Sequence, residues 1–223
     1  MRSTERLTEQ GGWLLYLGMF ALSGLALTLS MPWAATVREL ITFPWKPSPL
    51  VFFAVLTLMA VMVGLNRGST IAPRGPLQWR QVRRLLGHIL FAHMLTVPYL
   101  IFARSLLPGH VVKIPILTGY SILVSLAFGL AAYLRQAKRW ALGSEATGLN
   151  YVLAILVFAL PLIAWLATGS HWQHIALLSP VGTISHFLGE NTLPWSLIGI
   201  AIPLAAILFL MALLAIRMRR WAR

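Results

Sequence analysis

Residues 49–66 read PLVFFAVLTLMAVMVGLN and carry no charged side chain. An α-helix rises about 1.5 Å per residue, so about 20 apolar residues cross the hydrocarbon core of a bilayer. This stretch therefore predicts a transmembrane helix. Comparable charge-free runs recur along the chain, and together they predict six transmembrane helices at about residues 13–33, 49–66, 85–104, 114–134, 149–167 and 193–216.

The overall composition supports the same class. Of the 223 residues, 58% are hydrophobic and 10% are charged, whereas a soluble domain holds about 25% charged residues. Such a chain cannot cover a water-exposed surface, and its apolar content excludes disorder. We therefore predict an all-α polytopic membrane protein, with residues 1–223 forming a single transmembrane domain.

The residue types that the sequence lacks restrict the kinds of reaction and binding site that this chain can have. The sequence has no Cys and no Asp, and none of its five Glu falls inside a predicted span. The lack of Cys excludes disulfides, thiolate catalysis and Cys-ligated metal sites. Ion-coupled transport normally needs a carboxylate buried in the membrane, and because no predicted span supplies one, this function is disfavoured. No Gly-rich phosphate-binding loop is present. We expect no enzymatic activity, no nucleotide site and no cofactor in this chain.

Basic residues predict the orientation. Fourteen Lys and Arg fall on one side of the six predicted spans and four on the other. Because basic loops stay in the cytoplasm, both termini are expected there, and the net charge of +13 is explained by a membrane face without nucleic acid as a partner. A seventh span is conceivable at residues 170–189, but it would place the C-terminal arginines outside.

The richest basic segment follows the second span, where residues 67–84 read RGSTIAPRGPLQWRQVRR. Prolines break its first half, and residues 77–84 can form a short amphipathic helix whose lipid side would include Val82. Two interpretations stand at this point: the helix touches anionic lipid, or it docks a cytoplasmic partner. For docking, the residues in or beside the contact are Trp79, Arg80, Arg83 and Arg84.

A polar stretch separates the fifth and sixth spans. We predict a re-entrant or interfacial segment over residues 176–188, shaping the outer end of a pathway at a dimer interface. Its residues of interest are Ser179, Pro180 and His186. His171 and His174 are three residues apart and are a candidate metal pair, the alternative being polar residues that face headgroups and water.

His88 and His93 are the histidines inside a predicted span. Five residues apart, they point about 140° from each other around a helix and cannot clamp one haem together. We expect His93 to be hydrogen-bonded between helices. A membrane anchor or b-type cytochrome subunit of a redox complex stays open as the alternative function.

The arrangement resembles the small permease subunits of type-2 ATP-binding-cassette exporters. In that family the segment after span two commonly reads Arg-Gly-Thr, then Pro-Leu, then a short aromatic or basic helix, then a Gly opening span three. A Leu-Ser-Pro often follows the fifth span. The matching positions here are Arg67-Gly68-Ser69, Pro76-Leu77, Trp79-Arg80, Gly87 and Leu178-Ser179-Pro180.

The resemblance implies a mechanism and partners. Two permease subunits, identical or homologous, would pair in a bacterial cytoplasmic membrane, surrounded by membrane lipids. A separate cytoplasmic subunit would bind ATP and Mg²⁺, dock on the short helix and drive export of an apolar or amphipathic substrate. The acidic residue that usually follows the Gly-Thr of the family is absent from this chain.

Overall fold

The computed structural model describes residues 2–30, 49–71, 78–104, 112–137, 151–152, 154–159, 163, 177–188 and 193–221. Within these ranges, the side chains of residues 2–12, 15, 29–30, 136–137, 193–196 and 219–221 are outside the description. The described residues are almost entirely helical, and they include no β-strand. The prediction of an all-α protein is confirmed for this part of the chain.

Seven helices have defined bounds. They are α1 (Arg2–Ser30), α2 (Pro49–Ile71), α3 (Trp79–Leu95), α4 (Val97–Ala103), α5 (Lys113–Ala137), α6 (Pro180–Leu188) and α7 (Leu193–Trp221). Residues 151–152 and 154–159 are also helical.

Within the described ranges, three helical segments are long and apolar enough to cross a membrane: Pro49–Ile71, Lys113–Arg135 and Leu197–Met218. They coincide with the second, fourth and sixth predicted spans. The bent pair of α3 and α4 coincides with the third and would make a fourth crossing. The chain is thus suited to cross a membrane several times. Six crossings stay a prediction, because α1 contributes a shorter apolar part, Tyr16–Thr28, and most of the fifth lies outside the described residues.

Two boundaries differ from the predicted ones. α2 continues past Asn66 to Ile71, so Arg67 lies within the helix. Residues 79–84 of the segment predicted as a short amphipathic helix belong to α3, which begins at Trp79 and runs unbroken to Leu95. Gln78, just before it, has an extended backbone, and Leu77 is outside the described residues. The assignment of Val82 to the lipid side was wrong, because Val82 packs against α5 and α7 and is 8% exposed.

A bend of 50° separates α3 from α4 at Thr96. Pro98 lies in the first turn of α4 and has no backbone N–H to continue the ladder of helical hydrogen bonds. The Thr96 hydroxyl donates to the carbonyl oxygen of His93 at 2.8 Å, and the Thr96 backbone N–H reaches the same oxygen at 3.0 Å. Both bonds satisfy the end of α3 at the bend.

The centre of the bundle is the contact between α2 and α5. A Cβ added to Gly64 would overlap the backbone of Ser125, and one added to Gly68 would overlap Gly129. Ser125 Oγ also donates to the Ala60 carbonyl oxygen at 2.5 Å. Small residues four apart allow membrane helices to touch at backbone level. The two helices run parallel: Gly64 meets Ser125, and Gly68, one turn further along α2, meets Gly129, one turn further along α5.

Candidate functional site

Basic side chains gather where four helix ends meet. Arg67 near the end of α2 contacts Tyr16 of α1, and Tyr133 near the end of α5 contacts the start of α3. Leu214 and Met218 of α7 pack into the same region. We call this region the basic end. At the opposite end of the bundle, Lys113 Nζ donates to the Leu188 carbonyl oxygen at 3.3 Å.

Tyr133 fixes the first turn of α3. Its side chain is fully buried, and its hydroxyl donates to Gln81 Oε1 at 2.7 Å. The backbone N–H of Gln78 donates to the same hydroxyl oxygen at 3.4 Å. Since the first N–H groups of a helix have no partner within it, this tyrosine satisfies one of them and ties the start of α3 to α5.

The two sides of α3 differ sharply at the basic end. Val82, Leu85 and Ile89 are buried against apolar side chains of α5 and α7. The opposite side is exposed, with Trp79 at 43%. The four predicted docking residues, Trp79, Arg80, Arg83 and Arg84, are all exposed at the start of this helix. The geometry therefore presents an indole and three guanidinium groups on a helix that is anchored from behind.

A polar cluster joins α1, α2 and α3 beside this surface. Arg67 Nε donates to the Tyr16 hydroxyl oxygen at 3.1 Å, and the same oxygen lies 2.8 Å from His88 Nδ1. One hydroxyl group therefore joins Arg67 of α2 to His88 of α3. We call these three residues the tyrosine cluster.

Charge also surrounds the histidine of the tyrosine cluster. Arg67 shares the Tyr16 hydroxyl with His88, and Arg84 stands four residues before His88, on the same side of α3. Arg67 additionally lies over the ring of Tyr16, with Cζ 4.9 Å from the ring centroid, a favourable cation–π arrangement. Through Arg84, the tyrosine cluster is continuous with the exposed basic side of α3.

The sequence analysis missed the tyrosine cluster because it ended α2 at Asn66 and treated Arg67 as a loop residue. The signal was present: Arg67 stands between Gly64 and Gly68, whose four-residue spacing continues a packed helix to the basic end. Tyr16 and His88 gave no such signal, because their pairing depends on how α1 and α3 lie side by side.

The expectation for His93 is confirmed. Its Nδ1 donates to the Ile89 carbonyl oxygen at 2.8 Å, and its Nε2 lies 3.1 Å from Ser121 Oγ in α5. Both residues are buried. His88 turns instead to Tyr16, so the two histidines face different partners. Among the described residues, no group of three or more His, Cys, Asp or Glu side chains could hold a metal ion; His171 and His174 lie outside them.

The residues singled out in the outer segment take part in packing. Ser179 Oγ donates to the Phe158 carbonyl oxygen at 2.8 Å and accepts from the Val181 backbone N–H at 3.3 Å, which caps α6. Pro180 is buried in the first turn, and His186 is half-buried. The nine residues of α6 extend about 14 Å, well short of a bilayer core of about 30 Å.

No family model, curated protein or solved structure matches this chain.

Proposed function

We propose that this chain is the membrane subunit of an ATP-driven transporter of the type-2 ATP-binding-cassette class. In this proposal six helices cross a bacterial cytoplasmic membrane, both termini lie in the cytoplasm and a separate subunit hydrolyses ATP. The observation that carries it is the exposed basic start of α3, where Trp79, Arg80, Arg83 and Arg84 stand on a helix fixed from behind by Tyr133.

A docking surface is useful to a transporter when movement at the surface reaches the membrane. α3 is suited to this because no break separates the exposed arginines from the buried residues Ile89 and His93. The arginines suit a partner with an acidic groove, and Trp79 supplies the large aromatic anchor that is enriched in protein contacts. A push on the first turn would be delivered to the helix as a whole, as far as the bend at Thr96.

The interior fits an apolar or amphipathic cargo. Among the described residues, no charged side chain is buried, and the buried polar side chains are Ser, Thr and His93. A charged solute would meet no compensating charge there, and burying it would be costly. In the proposal, a second copy or a homologue completes the pathway. The short, buried α6 is the re-entrant segment near its outer end.

The test is the composition of the complex in native membranes. Tagged wild-type protein is purified in mild detergent, co-purifying proteins are identified by mass spectrometry, and ATP hydrolysis is measured. The same is done for an Arg80→Glu/Arg83→Glu variant and for a matched control, Arg217→Glu, on α7. We expect a nucleotide-binding subunit with wild type and control, and its loss together with ATPase activity in the double variant.

Two results would overturn the proposal. One is a wild-type complex whose partners include no nucleotide-binding protein, which would favour a membrane anchor. The other is an ATPase that is retained equally by the double variant, which would place docking elsewhere. Unchanged elution of the membrane subunit in gel filtration shows that the double variant is folded, so that its loss of partner is interpretable.

A further inference from the structure

The tyrosine cluster concentrates positive charge without a described counter-charge. Arg67 shares the Tyr16 hydroxyl with His88, and Arg84 lies four residues before His88 on α3. Two like charges held near each other in a region of reduced dielectric repel each other. No carboxylate of the described side chains lies against them. Glu9 precedes Tyr16 by about two turns of α1, and its side chain is outside the description. An anion from outside the chain would relieve the repulsion.

The cluster lies where the apolar parts of α1, α2 and α3 give way to polar and basic residues. Arg67 is four residues before the end of α2, which is about 6 Å along the axis, and Arg84 is in the second turn of α3. Both therefore lie at the boundary between the apolar helices and their basic ends, where arginines meet headgroup phosphates.

Apolar surface continues directly from the cluster along α1 and α3. Tyr16 packs edge-on against Phe91 with ring centroids 5.6 Å apart and against Trp13 at 5.9 Å. Trp13 is 60% exposed, Leu17 62% and Met94 70%. The two helices run side by side, since Phe20 further along α1 meets Tyr99 in α4 at 4.8 Å. A ligand bound at the cluster would have hydrocarbon-compatible surface next to its charged group.

We propose that Arg67, Arg84 and His88 bind the phosphodiester group of an anionic membrane lipid, whose acyl chains lie on the exposed apolar side chains of α1 and α3. Guanidinium groups suit phosphate because they donate two parallel hydrogen bonds. The imidazole of His88, which shares the Tyr16 hydroxyl with Arg67, is a further polar group at the site. Tyr16 is a positioning residue that holds Arg67 and His88. This inference does not rest on the proposed transport function, and with Arg84 bound to lipid the surface left for a cytoplasmic partner is Trp79, Arg80 and Arg83.

The test measures lipid retained by the purified protein. Full-length protein is reconstituted in phosphatidylcholine vesicles with a minor fraction of phosphatidylglycerol and re-extracted in mild detergent. Bound lipid is then counted by native mass spectrometry. We expect wild type to retain phosphatidylglycerol preferentially, and Arg67→Gln and Arg84→Gln to lower its apparent affinity about tenfold each. Arg217→Gln, a basic residue of the same end on α7, is the matched control and should retain it.

Further arms separate the possible sources of the anion. Excess inorganic phosphate should leave phosphatidylglycerol retention unchanged, because it cannot use the apolar surface; displacement by phosphate would assign the site to free phosphate and overturn the lipid. Glu9→Gln should also have no effect. Higher retention in Glu9→Gln, with none lost in Arg84→Gln, would mean that Glu9 neutralises the cluster and would overturn the proposal too.

Folding does not confuse the result. Arg67 is half-buried, so Arg67→Gln could weaken the helix contacts, but Arg84 is exposed and its replacement leaves the packing intact. Tyr16→Phe keeps the ring contacts and removes the shared hydroxyl. It should reduce the preference for phosphatidylglycerol over phosphatidylcholine, with a loss of thermal stability in phosphatidylcholine no larger than that of Tyr133→Phe. Equal preference in all variants would overturn the assignment.

Discussion

Two pairs of helices associate in different ways. One pair is α2 with α5, and the other is α1 with α3. In the first, Gly64 and Gly68 bring two backbones together and leave room for no further side-chain atom. In the second, the rings of Tyr16, His88 and Phe91 fill the space. Backbone contact makes a rigid seam, whereas contact through polar and aromatic side chains leaves charged groups partly accessible. The structural centre and the candidate site thus lie in different helix pairs.

Gly64→Ala is expected to give the largest effect. The added Cβ would overlap the backbone of Ser125, and the helices must separate, at a cost of about 3 kcal/mol. Thermal unfolding in detergent measures the loss. The matched control is Gly119→Ala in α5, where an added Cβ meets nothing within 4 Å and helix propensity favours Ala by about 1 kcal/mol. Equal stability of both variants would contradict the close backbone contact between α2 and α5.

Ser121→Ala should have the next largest effect. It removes the side-chain partner of His93 Nε2 in a buried contact between α3 and α5, and an unsatisfied buried group costs about 2 kcal/mol. Thr70→Ala is the control, because Thr70 is exposed and its hydroxyl bonds within its own helix. If both substitutions lower the unfolding temperature equally, the His93 contact adds nothing to stability.

Tyr133→Phe tests the basic end, with an expected cost of about 1 kcal/mol. The Gln78 N–H and the Gln81 side chain lose their shared hydroxyl, so the first turn of α3 should open more readily. Hydrogen exchange of amides in residues 79–82 should become about fivefold faster. Amides in residues 89–93 of the same helix are the internal reference, and uniform acceleration would show that the effect is not local.

Arg80→Gln and Arg83→Gln should change stability least, by no more than about 0.5 kcal/mol. Both side chains are exposed, so partner binding can change while the unfolding temperature stays the same. A large loss of stability in either variant would show that these residues belong to the packed part of α3. The exposed side of α3 would then not differ from the α2–α5 contact in its effect on stability.

The long apolar helices could be predicted from the sequence because hydrophobicity alone places a helix in a membrane. α2, α5 and α7 follow this rule, and so does the inward contact of His93, since a lone polar side chain in an apolar helix needs a partner. The side of Val82 could not be predicted. Its burial depends on α5 and α7 lying behind α3, and an amphipathic pattern does not say whether lipid or protein covers the apolar side.

The tyrosine cluster and the bend at Thr96 could not be predicted from the sequence, for a related reason. Three helices supply Tyr16, Arg67 and His88, so the cluster exists through their relative positions and not through any local motif. Pro98 is a residue type that can break a helix, but membrane helices also accommodate proline without a break, so the bend does not follow from the sequence. The docking residues Trp79, Arg80, Arg83 and Arg84 were predicted as a basic surface, and their exposure on one anchored helix is a finding of the structure.

The seam between α2 and α5 constrains how this protein can diverge. The pairs Gly64 with Ser125 and Gly68 with Gly129 have the same separation along the chain, because the helices run parallel. A side chain added at Gly64 or Gly68 would meet the facing backbone of α5, which is present whatever residue stands there. A smaller residue on α5 therefore makes no room for a larger one on α2. Distant relatives should therefore keep glycine at positions 64 and 68, even where lipid-facing sequence has drifted beyond alignment.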